Sequence, residues 1–297
     1  MGSWWSNIFG AKRKKLLSFL EVDIQDIQAH PSGIQNIQGD NITGMVIRNA
    51  LSADECRIIR DYFDNLPQEE IYETTSGAFT APPPFSIIAR KGASETQIGQ
   101  YFMNCQQFWK DFTSVSGFDF LQKTKTILGH LGQGKTIETP EGPNGNGTFT
   151  PASIRKLVPG LGELNLHCGN ILHEEHPEFF KLLSEKSHLH NQLSYFFMLQ
   201  PAQKAGELLV YNMPWDTVSK RLPGGLRFET TDGTILDSSD EKQVARHAVK
   251  MNMGDLLIFG GGRYWHRVSQ PEGDATRYTI GGFITPSTSS ESMHIWS

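Results

Sequence analysis

From residue 153 onward the chain resolves into eight short apolar runs, and that pattern restricts the fold more than any other feature. The runs are Ser153–Val158, Glu163–Cys168, Gln192–Leu199, Glu207–Tyr211, Ala248–Met251, Leu256–Phe259, Tyr264–Ser269 and Tyr278–Thr285. Each is too short for a core-forming helix, and turn-forming residues punctuate the gaps, so each reads as a strand. A helix from about Pro177 to Lys186 interrupts the series, and residues 213–245, rich in Pro, Gly, Asp and Ser, read as an insertion. Eight short strands with helices outside predict an all-β core with flanking helices, folded as a double-stranded β-helix of the jelly-roll or cupin-like type.

The upstream half carries the helices. Gly44–Asn49 reads as a strand, and Ser52-Ala-Asp-Glu55 forms a capping box that opens a helix carrying Ile58, Ile59, Tyr62 and Phe63 on one face. Residues 70–94, with Gly77 and Pro82-Pro83-Pro84, show little periodicity and read as a long loop forming part of a substrate mouth. Apolar residues at helical spacing between Glu95 and Gly129 predict two helices covering the sheet, and Gly132–Gly147 reads as a loop. A hydrophobic content of 38% suffices for one core, so the expected organisation is a single catalytic domain spanning 1–297. Its parts are an N-terminal extension (1–43), a helical support with the mouth loop (44–136) and the jelly-roll core (137–297).

Charge and cysteine usage narrow the partners. A net charge of −5 provides no basic field for nucleic acid or an anionic membrane, which leaves a small molecule as the expected partner. Protein partners are not legible. Three cysteines, Cys56, Cys105 and Cys168, lack zinc-like spacing and argue against a disulfide framework, so the expected location is the cytoplasm. Met1-Gly2-Ser3 fits a myristoylation pattern superficially, beside the basic cluster Lys12–Lys15, but no apolar run has the length of a membrane span. A short amphipathic helix packed on the domain, without stable membrane insertion, is the expectation there.

Against this frame, His167-Cys168-Gly169 stands out. A non-haem iron site that activates dioxygen pairs two histidines with one carboxylate, the first His and the acid spaced H-x-D/E. Here glycine occupies the acid's place. On a strand, residues i and i+2 share a face, so Gly169 would leave a coordination position open beside His167. A halide there would restore the missing negative charge. His266, in the alternating run Gly261-Gly-Arg-Tyr-Trp-His-Arg-Val268, is the second candidate iron ligand. Arg277 follows across the turn Pro271–Asp274, and its guanidinium suits a two-point clamp on a dicarboxylate.

The segments Ile137–Pro143, Thr150–Arg155, Leu166–Asn170, Gln192–Phe196, Gly206–Tyr211, Gly261–Ser269 and Arg277–Phe283 resemble the freestanding Fe(II)/2-oxoglutarate halogenases of hapalindole and welwitindolinone alkaloid biosynthesis. The resemblance runs from about Gly44 and is clearest after residue 137. It implies a jelly roll of the Fe(II)/2-oxoglutarate oxygenase type, with His167 and His266 on iron, Gly169 at the halide and Arg277 on the far carboxylate of 2-oxoglutarate. The implied cofactors are Fe(II), 2-oxoglutarate, chloride or bromide, and O2. The implied reaction chlorinates or brominates an unactivated aliphatic C–H bond through a halide-bound Fe(IV)-oxo species, releasing succinate and CO2. Ser194 matches a position beside the metal thought to steer the oxo group. Arg155 is a candidate second contact for the anion. Phe85, Ile88 and Leu164 are candidate substrate contacts that could equally be core packing. The chain departs from the family between Phe85 and Ile88 and across 213–245, so the family's substrates do not carry over; an alkaloid-like or other secondary metabolite is expected.

Other constellations compete. His173-Glu174-Glu175 is an H-x-E that would complete a triad with His266 and make a hydroxylase, but it falls at a helix entry. His188-Leu-His190 reads as a solvated connection. Gly129–Thr136 fits G-x-x-x-x-G-K-T, yet a helical pattern precedes it and no helix follows, contrary to what a phosphate cradle requires. A catalytically silent ligand-binding jelly roll is the non-enzymatic alternative.

Overall fold

A computed structural model of the protein describes residues 16–90, 93–175, 177–222 and 226–297. The myristoylation-like start and the basic cluster lie outside the described residues. The eight core strands are β1 (Ser153–Leu157), β2 (Leu164–His167), β3 (Leu193–Gln200), β4 (Leu208–Pro214), β5 (Arg246–Val249), β6 (Leu256–Phe259), β7 (Tyr264–Val268) and β8 (Arg277–Pro286). They fall into two antiparallel sets of four, ordered β6-β3-β8-β1 and β5-β4-β7-β2. Strands β1 to β4 and β5 to β8 each alternate between the two sheets, with β4 and β5 paired within one of them, in the manner of a double-stranded β-helix.

Alternation along β3 and β8 shows how sequence sets this layer. Leu193, Tyr195, Phe197 and Leu199 join Tyr278, Ile280 and Ile284 in the main apolar core, against Ile59, Phe63, Phe112 and Phe120. Those partners come from the helices α2 (Ala53–Asp64), α4 (Glu95–Ser116) and α5 (Phe120–Leu131), with the short α1 (Gly33–Gln38) preceding them in the chain. Each fully buried side chain of this kind contributes roughly 1.5–3 kcal/mol. The intervening residues Ser194, Phe196, Arg277 and Thr279 face the opposite way, into the space between the sheets. Period-two patterning therefore dedicates one face of each strand to stability and the other to the site.

The capping box at Ser52 forms as expected: Ser52 Oγ accepts from the Glu55 N–H at 3.2 Å and Glu55 Oε2 accepts from the Ser52 N–H at 2.7 Å. Glu55 also takes a 2.6 Å ion pair from Lys123, tying α2 to α5.

Several connections are more ordered than the sequence suggests. Residues 70–94 are not a long loop: they hold the hairpin Tyr72–Thr75/Ala78–Ala81 and the helix α3 (Phe85–Arg90). The hairpin pairs with β1, and four-residue strands with a polar outer face leave no periodicity to detect. The insertion 213–245 contains a three-stranded antiparallel sheet, Val218–Arg221, Arg227–Thr230 and Ile235–Asp237. Phe228 and Val218 from it close a second core around Trp265 and Tyr211. Within 132–147, Thr136–Glu138 pairs in parallel with a strand at Ser292–Trp296, which itself borders β8. Phe19–Asp23, in the segment read as an extension, adds an edge strand beside Gly44–Arg48. Among the described residues no helix is long and apolar enough to cross a membrane, and all three cysteines are buried and free.

Candidate active site

His167 ends β2 and His266 is the central residue of β7; the two are direct cross-strand partners. Their rings consequently share a face, with centroids 4.2 Å apart and planes inclined at 57°. Each ring is fixed by its own strand. Nδ1 of His167 lies 2.6 Å from the Asn165 carbonyl, and Nδ1 of His266 lies 2.8 Å from that of Tyr264. Burial pushes the His167 pKa down to about 4, against the raising effect of the Asn165 carbonyl and with further lowering from Arg155 and Arg221. Burial and then His167 hold His266 well below its ordinary value. Both imidazoles are therefore neutral at pH 7, and with Nδ1 donating to a carbonyl each Nε2 keeps its lone pair for a metal. Among the described residues no group of three His, Cys, Asp or Glu is assembled that could hold a metal, so this pair comes without a carboxylate.

Gly169 sits differently from the strand-based expectation. The strand stops at His167, and Gly169 opens the helix α6 (Gly169–Glu175), so the i, i+2 argument does not describe its position. Its N–H donates to the Gly261 carbonyl at 2.9 Å, and that of Asn170 to Gly262 at 3.0 Å, docking the helix start onto the turn before β7. A Cβ at 169 would stand 3.0 Å from Gln192 Nε2 and 3.0 Å from Gly262 Cα. Gly169 is buried and supplies no acid. Ser194 is 8% exposed and lines that cavity; a Cβ on Gly261 would collide with its Oγ, so glycine at 261 makes room for the hydroxyl.

The cavity measures about 110 Å³. Its inner wall carries Arg155 and Arg277, placed on one face because Thr279 pairs with Arg155 across β8 and β1. Arg277 is 2% exposed, and the Nε of each arginine is buried without a hydrogen-bond partner among the described residues. Burial, then Arg155, push the Arg277 guanidinium down to about 9, opposed by Glu207, while burial alone lowers Arg155. Two guanidinium groups facing one small space without an acid constitute a demand for an anion.

Leu164 lines this cavity, together with Phe196, Phe259 and Val268. Phe85 does not: it packs in an aromatic cluster 5.5 Å from Phe102 and 5.2 Å from Phe149. Ile88 lines a separate cavity of about 570 Å³ with Tyr62, Tyr101 and Phe108. Both belong to α3, which leans on α7 (Pro177–Ser184) and α4 rather than on the barrel mouth. Sequence reading missed Phe196, Thr279 and Phe259. Alternation from Ser194 and Arg277 would have found the first two; Gln192, against Gly169, left no signal. His173 lies on α6 with its ring 4.5 Å from Phe180, and Glu175 is held by Arg221 at 2.8 Å, so no H-x-E triad forms with His266. Gly129–Thr136 begins in the last turn of α5 and ends at the start of the strand Thr136–Glu138, which is no phosphate cradle.

A double-stranded β-helix with two facing neutral imidazoles above a buried arginine has the attributes of the non-haem Fe(II)/2-oxoglutarate-dependent oxidoreductases. Within that class, the family model described as the carrier-protein-independent halogenase WelO5 matches residues 16–297, and the chain belongs to that family. It is accordingly an Fe(II)/2-oxoglutarate-dependent halogenase. No curated protein matches the sequence. Among solved structures, an N-substituted L-amino acid dioxygenase from Burkholderia ambifaria AMMD is similar at 13% identity and a TM-score of 0.55, covering 90% of this chain and 91% of that one. The same dioxygenase in complex with alpha-KG gives 12% identity and a TM-score of 0.51, covering 88% and 89%. At these identities the likeness establishes the shared fold.

Proposed function

We propose that the enzyme replaces an unactivated aliphatic C–H bond of a small natural product, alkaloid-like or another secondary metabolite, with C–Cl or C–Br. The reaction consumes the substrate, halide, 2-oxoglutarate, dioxygen and one proton, and yields the halogenated product, succinate, carbon dioxide and water. The observation that carries this reading is a pair of neutral, carbonyl-oriented imidazoles with a glycine, and no acid, following the first of them.

The residues fit the implied cofactors. His167 and His266 offer two Nε2 donors of the kind Fe(II) accepts, and the missing acid leaves the metal one negative charge short, which chloride or bromide would supply. Held by these two residues, Fe(II) would supply the chemistry that couples oxidative decarboxylation of 2-oxoglutarate to oxidation of the substrate. Arg277, with Arg155 beside it, meets the far carboxylate of 2-oxoglutarate, whose charge relieves the repulsion between the two guanidiniums. Gly169 keeps a carboxylate out of the halide's place. Ser194 directs its hydroxyl into the same cavity and orients polar groups near the metal. Leu164 contacts the organic substrate at the apolar side. Because hydroxylation competes with halogenation, the pocket must hold the target carbon closer to the halide than to a hydroxyl.

The test is mass spectrometry of reactions with a panel of apolar alkaloid-like compounds, Fe(II), 2-oxoglutarate, O2 and chloride or bromide. A product carrying the halogen isotope pattern, formed with matching succinate, is expected. Hydroxylated products without halogen at saturating halide would contradict it.

A further inference from the structure

Arg277 faces two cavities, and only one of them is the site described above. The second, about 240 Å³, lies at the end of the barrel formed by the connection between β3 and β4 and by Val249–Met251. It shares Phe196, Leu208 and Arg277 with the iron-side cavity. The Arg277 guanidinium lies 5.7 Å from the centroid of the Phe196 ring, so one flat side chain and the guanidinium together form much of the partition. Close approach is built in: Gly206 has φ +73°, and a Cβ there would stand 3.4 Å from Arg277 Cδ and 3.0 Å from Ala202 Cβ. The rim carries Lys204 and Lys250, both exposed and without an ion pair among the described residues. Glu207, the acid in the lining, has its carboxylate 3.2 Å from Ser269 Oγ. Glu272 is the cross-strand partner of Lys204 but makes no ion pair with it.

We propose that this second cavity is a port through which the dicarboxylate co-substrate reaches Arg277, and through which the dicarboxylate product leaves, separately from the mouth that admits the organic substrate. The inference rests on Arg277 as the carboxylate clamp. Two exposed ammonium groups at a narrow opening raise the local concentration of a dianion, and the buried guanidinium below receives it. Passage requires the half-buried Phe196 ring to swing aside from Arg277. A separate port lets 2-oxoglutarate bind and succinate depart while organic substrate or product still covers the iron side.

The experiment is anaerobic stopped-flow mixing of the Fe(II)-loaded protein with 2-oxoglutarate, following the metal-to-ligand charge-transfer band. Two variants are compared with the parent: Ala202→Trp, which fills the port, and Lys204→Glu/Lys250→Glu, two surface changes that leave the core intact. In Ala202→Trp, association and dissociation are expected to slow together by about tenfold with Kd within about twofold, because a blocked route alters rates and not the end states. In the charge-reversed variant, association is expected to slow by about threefold or more at low salt, with the difference shrinking as salt screens it. Unchanged association rates in both variants would overturn the port. Absence of any band in the parent protein would instead overturn the iron and 2-oxoglutarate reading on which the port depends.

Discussion

At the residue scale the site is a balance of charges that the protein alone leaves unsettled. Arg277 is the clearest case, since its buried cation has no partner on Nε among the described residues and is repelled by Arg155. Replacing it with Gln should weaken 2-oxoglutarate binding by about 10- to 100-fold, the worth of a charge-assisted hydrogen-bond pair. The same change should raise the melting temperature of the ligand-free protein, because a buried unpaired charge is removed. Calorimetric titration and thermal melts on the one variant read both effects; weaker binding with lower stability would contradict the charge argument. Gly169→Asp tests the glycine. The new side chain must push Gln192 aside and would bring a negative charge beside His167, so halogen incorporation is expected to be lost, whether or not hydroxylation replaces it. Retained incorporation would remove Gly169 from the account. That His167, His266 and Arg277 would come together was legible from spacing and order along the strands, and Leu164 lines the cavity where they meet. For Phe85 and Ile88 the sequence left core packing and substrate contact equally open, because apolar residues look alike until packing separates them; Phe85 joins an aromatic cluster and Ile88 lines a separate cavity.

At the element scale, α6 and β8 show what local sequence conceals. α6 begins one residue after Cys168, so a helix interrupts the strand where alternation would have carried on to Gly169. On α6, the half-buried His173 packs against Phe180, and burial, then His190, lower its pKa to about 4, with no hydrogen-bond partner for Nε2 among the described residues. The unfolded chain, with an ordinary pKa near 6.5, binds this proton first as pH falls. Stability is therefore full above about pH 6.5 and declines down to about pH 4, by at most about 3 kcal/mol from this group. His173→Gln should flatten the acid limb of the melting profile between pH 6.5 and 4; an unchanged slope would contradict the assignment. In β8, a Cβ at Gly281 would collide with the Tyr195 carbonyl and Phe196 Cα, so β3 and β8 approach too closely there for a side chain. Gly281→Ala should destabilise the fold by about 1–3 kcal/mol, as overpacking does, measured by urea unfolding. Strands such as Tyr72–Thr75 and Val218–Arg221 were hidden because their partners, not their own patterns, make them strands.

At the scale of the whole molecule, the eight-strand jelly-roll core was legible, since two sheets packed face to face need inward and outward residues in alternation along every run. The additions were not. The larger sheet reaches ten strands by recruiting segments from both ends of the described chain, and nothing in Phe19–Asp23 or Ser292–Trp296 announces which edge it will join. These additions matter to function through rigidity: helices hold one face of β3 and β8, and that fixes the opposite face, where Ser194, Arg277 and Thr279 meet the cavity. The central claim is that the two histidines bind iron with an anion from solution in the place of a carboxylate. The most direct measurement is anaerobic optical titration of the purified protein with Fe(II) and 2-oxoglutarate, followed by chloride or bromide, with organic substrate present and absent. A charge-transfer band that forms and then shifts with halide is the predicted result; a band that forms and ignores halide under both conditions would contradict it.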